Sequence, residues 1–240
     1  MINIKKVFAT AVCCVFCTAF TTACGDSDGI VNFTAPKDGE EVLVMTIKDY
    51  GDVKIKLFPD QAEKGVENIK GLAEKNYYDG LIFHRIISDF MIQGGDPLGN
   101  GMGGESMWGD KFDGGTSENL IHAAGAVAYA NSGSTATNGS QFYIVTGTKP
   151  TEEEWEYYAA NGKTFSEEAK KIYEEDGGAA YLDGGYTVFG QVYDGLDIIF
   201  EIQNVDTDEN DKPLKDVVIE KISVEKYDGG DVKFHMSDYK

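Results

Sequence analysis

Val53, Ile55 and Leu57 alternate with Lys54 and Lys56, and this period of two predicts a half-buried strand over residues 52–58. The apolar run VLVMTI at 42–47 precedes it across a Gly-Asp turn, so the pair reads as a β-hairpin. The period then changes. Pro59 is placed at the opening of a helix, where its missing N–H has no intrahelical partner to lose. Ala62, Val66, Ile69 and Ala73 recur at helical spacing, and the helix is expected to end near Asn76. Short β runs follow at 81–87, 90–94, 126–130, 140–145 and 186–193. Leu196, Ile199 and Phe200 share one face of a second helix over 195–203, and Val218, Ile222 and Val224 alternate with charges in a last strand over 216–225. Many short strands with two helices predict a mainly β fold, a closed barrel with helical caps.

Residues 148–180 break this rhythm. Between Thr151 and Asp176 they hold nine acidic residues and three lysines among good helix formers. The stretch predicts an inserted acidic helical hairpin, read as a solvated excursion with partner selection as its functional alternative. The two ends are read as lying outside the folded body. Lys5 and Lys6 precede an apolar run from Val7 to Phe20, and Thr21, Thr22 and Ala23 stand before Cys24. That order predicts a secretory signal over 1–23. Small residues directly before a cysteine resemble a bacterial lipoprotein cleavage site, which would leave Cys24 acylated; Thr21 stands where leucine is usual, which leaves plain secretion or an uncleaved anchor as the alternatives. Residues 24–41 have few large apolar side chains and read as a tether, of which the 17 residues after Cys24 would span on the order of 20–25 Å as a coil. The folded domain is then expected at 42–226, with a tail over 227–240.

Composition narrows the class. Of 240 residues, 42% are apolar, enough for one domain with a real core. The 29 glycines against 5 prolines fit many turns between short strands. Cys13, Cys14 and Cys17 lie inside the predicted signal, so a processed chain keeps Cys24 alone and forms no internal disulfide. The net charge of −20 becomes about −22 without the two signal lysines, a surface that repels nucleic acid and anionic lipid headgroups. Membrane attachment is therefore expected through lipid on Cys24, giving an extracytoplasmic, lipid-anchored monomer.

The densest chemistry lies in FHRIISDFMIQGGDPLGNGMGGESMWG, which sets Arg85 among Phe83, Phe90, Met91, Met107 and Trp108, with Gln93 and a glycine-rich turn following. A guanidinium in apolar surroundings needs a defined partner. GAVAYANSGSTATNGSQFYIVTG at 125–147 adds Asn131, Gln141 and Tyr143. The pattern implies a groove with one positive donor, an apolar pocket and no nucleophile. GNGMGG at 99–104 fits a phosphate-loop spacing, but no helical period opens after it, so it reads as a turn lining a groove. DTDENDKPL at 206–214 begins like a calcium loop, yet Asp211 replaces the sixth-position glycine and Val217 the twelfth-position glutamate, so it reads as a solvated loop. His84 is expected as a hydrogen-bonded core residue, and no metal or cofactor is expected.

FHR, FMIQGGDP, GMGGES, ATNGSQFYI and YLDGGYTVFGQV occur in this order. Over residues 42–147 and 181–225 the chain resembles the cyclophilins, the peptidyl-prolyl cis–trans isomerases. The resemblance implies an eight-stranded antiparallel barrel capped by two α-helices, carrying the inserted acidic hairpin. It implies Arg85 as the catalytic arginine, and Phe90, Met91, Tyr143 and Leu182 as the proline pocket. It implies that Gln93 orients Arg85 and the substrate carbonyl, that the backbone at Ala130 and Asn131 pairs with the peptide, and that Gln141 and Gly101 line an adjoining groove. Tyr143 stands where phenylalanine is usual. Tyr181 replaces a tryptophan associated with cyclosporin binding, and Tyr186 replaces a histidine at the substrate groove. The partners implied are proline-containing unfolded or partly folded polypeptides. The function implied is folding catalysis on exported proteins, with a holdase or scaffold of the same fold as the alternative. A solute-binding lipoprotein is disfavoured because alternating strands and helices are missing.

Overall fold

A computed structural model describes residues 29–239. The predicted signal and the lipidation residue Cys24 lie outside the described residues.

Eight strands form one antiparallel sheet: β1 Glu41–Ile47, β2 Gly51–Leu57, β3 Arg85–Ile87, β4 Met91–Gly94, β5 Ala126–Tyr129, β6 Phe142–Val145, β7 Val188–Asp194 and β8 Ile219–Lys226. Their order is β3-β4-β6-β5-β7-β2-β1-β8. The sheet curls until its ends meet. Ile82 bridges Val218, the Phe83 N–H reaches the Val217 carbonyl at 3.0 Å, and the Ile219 N–H reaches the Leu81 carbonyl at 2.8 Å. This is the mainly β, eight-stranded antiparallel architecture that the sequence implied.

Alternation sorts the side chains. Ile86, Ile92, Phe142 and Ile144 point into the barrel, where they join Leu43, Ile55 and Phe189 in the main core. Met91, Tyr143, Val145, Ala126 and Ala128 take the other face and form a second cluster. The run FYIV of β6 is buried on both faces, which is why it reads as continuously apolar. Helix α1 (Glu63–Ala73) buries Val66, Ile69 and Leu72 in the main core, and α4 (Leu196–Ile202) buries Leu196, Ile199 and Ile202 there. Pro59 does not open α1. It lies in a turn that closes through the Ala62 N–H on the Phe58 carbonyl at 2.9 Å, and Ala62 at φ −145° keeps that turn separate from the helix.

The insertion is a pair of helices, α2 (Glu152–Ala160) and α3 (Glu167–Asp176). Thr151 caps α2 in a capping box with Glu154, and Ser166 caps α3. Its outer faces are acidic and exposed, but it is not a solvated excursion. Tyr158, Ala169 and Tyr173 pack with Trp155 and Phe165 against Ile121, Ala123 and Ala180 in a core of their own.

The tether reading fails from residue 29 onward. Val31 N–H bonds the Asn119 carbonyl at 2.9 Å, and Phe33 meets Phe234 edge-on at 5.6 Å. Asn32 is fully buried; its amide donates to Ile121 O and Gln191 Oε1, both at 3.0 Å, and accepts from Ile121 N at 3.0 Å. Three apolar residues around one amide dock a segment whose average composition is polar. Asn32→Ala strands all three partners, so we expect it to lower unfolding free energy by about 2–3 kcal/mol, measured by urea denaturation. The predicted tail is docked as well. Phe234 is buried against Val42 and Tyr193, Lys233 N–H bonds Tyr193 O at 2.7 Å, and His235 Nδ1 lies 2.7 Å from Asp176 Oδ1 at the end of α3.

Candidate active site

The register of three strand pairs lines up Arg85, Gln93, Tyr143 and Ala128 directly across β3, β4, β6 and β5. Paired residues share a face, so this row lies on the outer surface of the barrel. Met91 stands two residues before Gln93, on the same face of β4, and Phe90 sits at the turn entering that strand. Ala130 and Asn131 follow β5, while Leu182 and Tyr186 come from the irregular stretch before β7. Together with Arg85, Phe90, Met91, Gln93 and Tyr143 these four residues enclose an open cleft of about 160 Å³. Nine of the residues proposed from sequence therefore converge on one cavity. The other two, Gly101 and Gln141, lie beside it, with Gln141 Nε2 donating to Gly101 O at 3.0 Å and Gly103 O at 2.7 Å.

Two partnerships differ from those implied. Gln93 does not bond Arg85; its Nε2 donates to Gln141 Oε1 at 2.9 Å. This joins the central row to the glycine-rich turn. The Arg85 side chain is 41% exposed, and Arg85 Nε lies 3.4 Å from Asp211 Oδ2, itself 43% exposed. A pair so open to water adds little stability but sets the direction of the guanidinium. Asp211 belongs to the segment read as a solvated loop. That loop is docked on β3, where Ile86 N–H bonds the Asp211 carbonyl at 2.8 Å. The His84 ring is also not hydrogen-bonded among the described residues, although the His84 backbone N–H donates to the Gln93 carbonyl at 3.0 Å. It is buried with both ring nitrogens unpartnered, and burial pushes its pKa below the ordinary 6.5.

The floor of the cleft is aromatic and polar. The Tyr143 ring lies parallel to His122 at 6.1 Å between centroids, and Tyr186 stands edge-on to both, at 5.9 and 6.2 Å. Among the described residues the Tyr143 hydroxyl has no partner, and burial raises its pKa well above the ordinary 10.0, so it stays a neutral phenol. Phe90 is covered on one side by Tyr181, at 5.8 Å. His122 and Asp211 were not proposed as site residues. Neither carries a local signal, since each reaches the site through a contact distant in sequence.

Asp96 holds the adjoining turn. Its carboxylate accepts from the backbone N–H groups of Leu98 (2.9 Å), Asn100 (2.9 Å) and Gly101 (2.6 Å). Burial alone would raise its pKa, but the three donors outweigh burial and hold it below the ordinary 3.8. The unfolded chain releases this proton at the ordinary value. The stabilisation is therefore complete above that value and is lost as pH falls through the depressed folded one. We expect the urea midpoint to decline below about pH 4, and Asp96→Asn to start lower and lose less across the same window. Equal losses in both proteins would remove this role.

The chain is similar to known proteins over most of its length. The family described as cyclophilin type peptidyl-prolyl cis-trans isomerase/CLD matches residues 42–224. A putative peptidyl-prolyl cis-trans isomerase of Staphylococcus aureus is 45% identical over 185 residues, covering 77% of this chain and 92% of that protein. A putative bifunctional phosphatase/peptidyl-prolyl cis-trans isomerase of Streptococcus pyogenes is 45% identical over 196 residues; this chain spans only 39% of its length. Among solved structures, a Cryptosporidium parvum cyclophilin type peptidyl-prolyl cis-trans isomerase superposes with a TM-score of 0.63 at 29% identity, covering 78% of this chain and 98% of that one. The same protein in the presence of the dipeptide Ala-Pro gives 0.62 at 30% identity, covering 78% and 99%. With three quarters of its length matched and its cleft assembled on the same barrel, this chain belongs to the cyclophilin-type peptidyl-prolyl cis–trans isomerases.

Proposed function

We propose that this chain speeds rotation about Xaa-Pro bonds in exported proteins, with Arg85 as the catalytic group. The peptide bond before proline resists rotation because nitrogen shares its lone pair with the carbonyl, a barrier of roughly 18–20 kcal/mol. In the twisted form conjugation is lost, and the nitrogen becomes pyramidal and basic. A donor aimed at that atom stabilises the twisted form above either planar one, which is catalysis by differential binding. Arginine suits the task because a guanidinium keeps its charge across the working pH range.

The observation that carries this reading is the placement of Arg85 at an open cleft next to Gln93 and Tyr143, with Phe90, Met91 and Leu182 in its lining. Phe90, Met91, Tyr143 and Leu182 supply a surface for the prolyl ring, and Ala130, Asn131 and Gln141 line the path of the chain on either side. Shortening exchange from about 100 s to about 10 ms is a factor of ten thousand, or about 5.5 kcal/mol. One charge-assisted hydrogen bond supplies about 1.5–3 kcal/mol, and orientation of the held ring supplies the rest. No bond is made or broken, so the reaction needs no cofactor.

The exported setting rests on the signal-like residues 1–23 and on Cys24, whose acylation would hold the enzyme at the outer face of the bacterial membrane. Two measurements test the whole reading. Exchange NMR on an Ala-Pro peptide should show accelerated cis–trans exchange. Palmitate labelling in cells should tag the wild type and spare Cys24→Ser. A protein that leaves the exchange rate unchanged is no isomerase, and an unlabelled wild type has no lipid anchor.

A further inference from the structure

Leu182 and Tyr186 belong to the cleft, yet they stand outside the eight strands, on a 3-10 turn and the bend that follows it. Much of what fixes this stretch comes from the inserted hairpin. Lys163, between α2 and α3, donates through Nζ to the carbonyls of Tyr181 (2.6 Å) and Asp183 (2.9 Å). One ammonium thus clamps the backbone on both sides of Leu182. Tyr173 of α3 is fully buried, and its hydroxyl donates to Asp183 Oδ2 at 2.7 Å while accepting from His122 N at 3.0 Å. Asp183 Oδ1 accepts from the same backbone N–H at 2.8 Å and faces His122 Nδ1 at 2.7 Å. The His122 ring in turn stacks on Tyr143 and meets Tyr186. A continuous set of hydrogen bonds and ring contacts therefore runs from the insertion to the floor and wall of the cleft.

A hairpin serving only as a solvated surface has no reason to bury a tyrosine hydroxyl against a carboxylate, or to aim an ammonium at two backbone carbonyls. Both arrangements spend desolvation on fixing residues 181–186. Burial shows in the electrostatics too. It lowers the Lys163 pKa against the opposing pull of Asp183, and with Asp183 it keeps the Tyr173 hydroxyl protonated.

We propose that the hairpin at 148–180 buttresses the prolyl pocket, with Lys163 and Tyr173 as positioning residues that set Leu182, Tyr186 and Tyr143 and thereby the affinity for the prolyl ring. This deepens the isomerase reading and rests on it. The pocket grips the ring alike in the cis, trans and twisted forms, whereas Arg85 acts on the twisted form. Loosening the buttress therefore removes binding common to ground and transition states, which raises KM and spares kcat.

The experiment compares Lys163→Met and Tyr173→Phe with the wild type on one Ala-Pro peptide, by steady-state exchange and by NMR titration for Kd. Both variants keep most of the side-chain volume. KM and Kd should rise together by about three- to tenfold, with kcat held within about twofold. Lys163→Arg, which can still reach two carbonyls, should return KM to within about twofold. Unaltered KM in Lys163→Met and Tyr173→Phe overturns the proposal, as does a loss confined to kcat. Lys163→Met changes only a partly exposed group, so it carries the test if Tyr173→Phe does not fold. A wild type that binds the peptide without turning it over defeats the isomerase reading instead, and the Kd comparison then decides the buttress alone.

Discussion

Arg85→Ala should lower kcat/KM on an Xaa-Pro peptide by about ten- to a hundredfold, mostly through kcat. The range follows from the mechanism, since one charge-assisted hydrogen bond present in the twisted state is worth about 1.5–3 kcal/mol and each 1.4 kcal/mol is a factor of ten. Folding should hardly change. The guanidinium is 41% exposed, and its pairing with Asp211 is open to water on both sides, so its loss costs under about 1 kcal/mol of stability. Arg85→Lys separates charge from shape. A lysine offers a point charge on a stem that cannot present a planar fork, so it should recover only part of the lost rate. Exchange NMR for turnover, with urea denaturation as the folding control, reads both quantities. Full turnover in a folded Arg85→Ala protein would mean that the cleft holds the ring while something other than this donor lowers the barrier.

The residues on which that prediction rests were legible through the resemblance of FHR, FMIQGGDP and ATNGSQFYI to the cyclophilins, and strand geometry explains why they share a face. Met91 and Gln93 are two apart and so share a face, and Tyr143 flanked by Phe142 and Ile144 marks a strand buried on both sides. The pairing of β3, β4, β6 and β5 then sets these positions in one row on the outer face of the barrel. Boundaries were less legible. Residues 81–84 read as part of β3, but residues 81–83 bond residues 217–219 at the seam of the barrel, and β3 starts at Arg85. Partners distant in sequence left no trace at all. Asp211 beside Arg85, and Asp183 with Tyr173 beside His122, are joined by the closing of the barrel and the docking of the insertion, and no periodicity encodes such pairings. The docked ends were hidden for another reason. Ile30, Val31 and Phe33 are too few to lift the average of a polar segment, so composition concealed an anchor made by one buried amide.

Gly178→Ala should be among the most destabilising single substitutions in the chain, by about 4 kcal/mol. Gly178 lies where the insertion rejoins the barrel and forms an isolated bridge with Ala123. Its φ of 145° lies in the region that side chains avoid, which costs about 1–2 kcal/mol once a Cβ is present. Space is the larger obstacle. A methyl group there would run into the His122 carbonyl oxygen, and it would stand 2.7 Å from Tyr173 Cε1 and 2.9 Å from Ala123 Cα. Two of these three neighbours are backbone and cannot swing aside, so overpacking adds about 1–3 kcal/mol. Two of these neighbours, Tyr173 and His122, also belong to the contacts that pass the insertion's support to the cleft. The strain should therefore reach function, with KM rising in whatever fraction stays folded. Urea denaturation measures the first effect and peptide titration the second. A loss below about 1 kcal/mol with unchanged peptide affinity would show that the seam yields easily. The insertion would then be free to shift without disturbing the site.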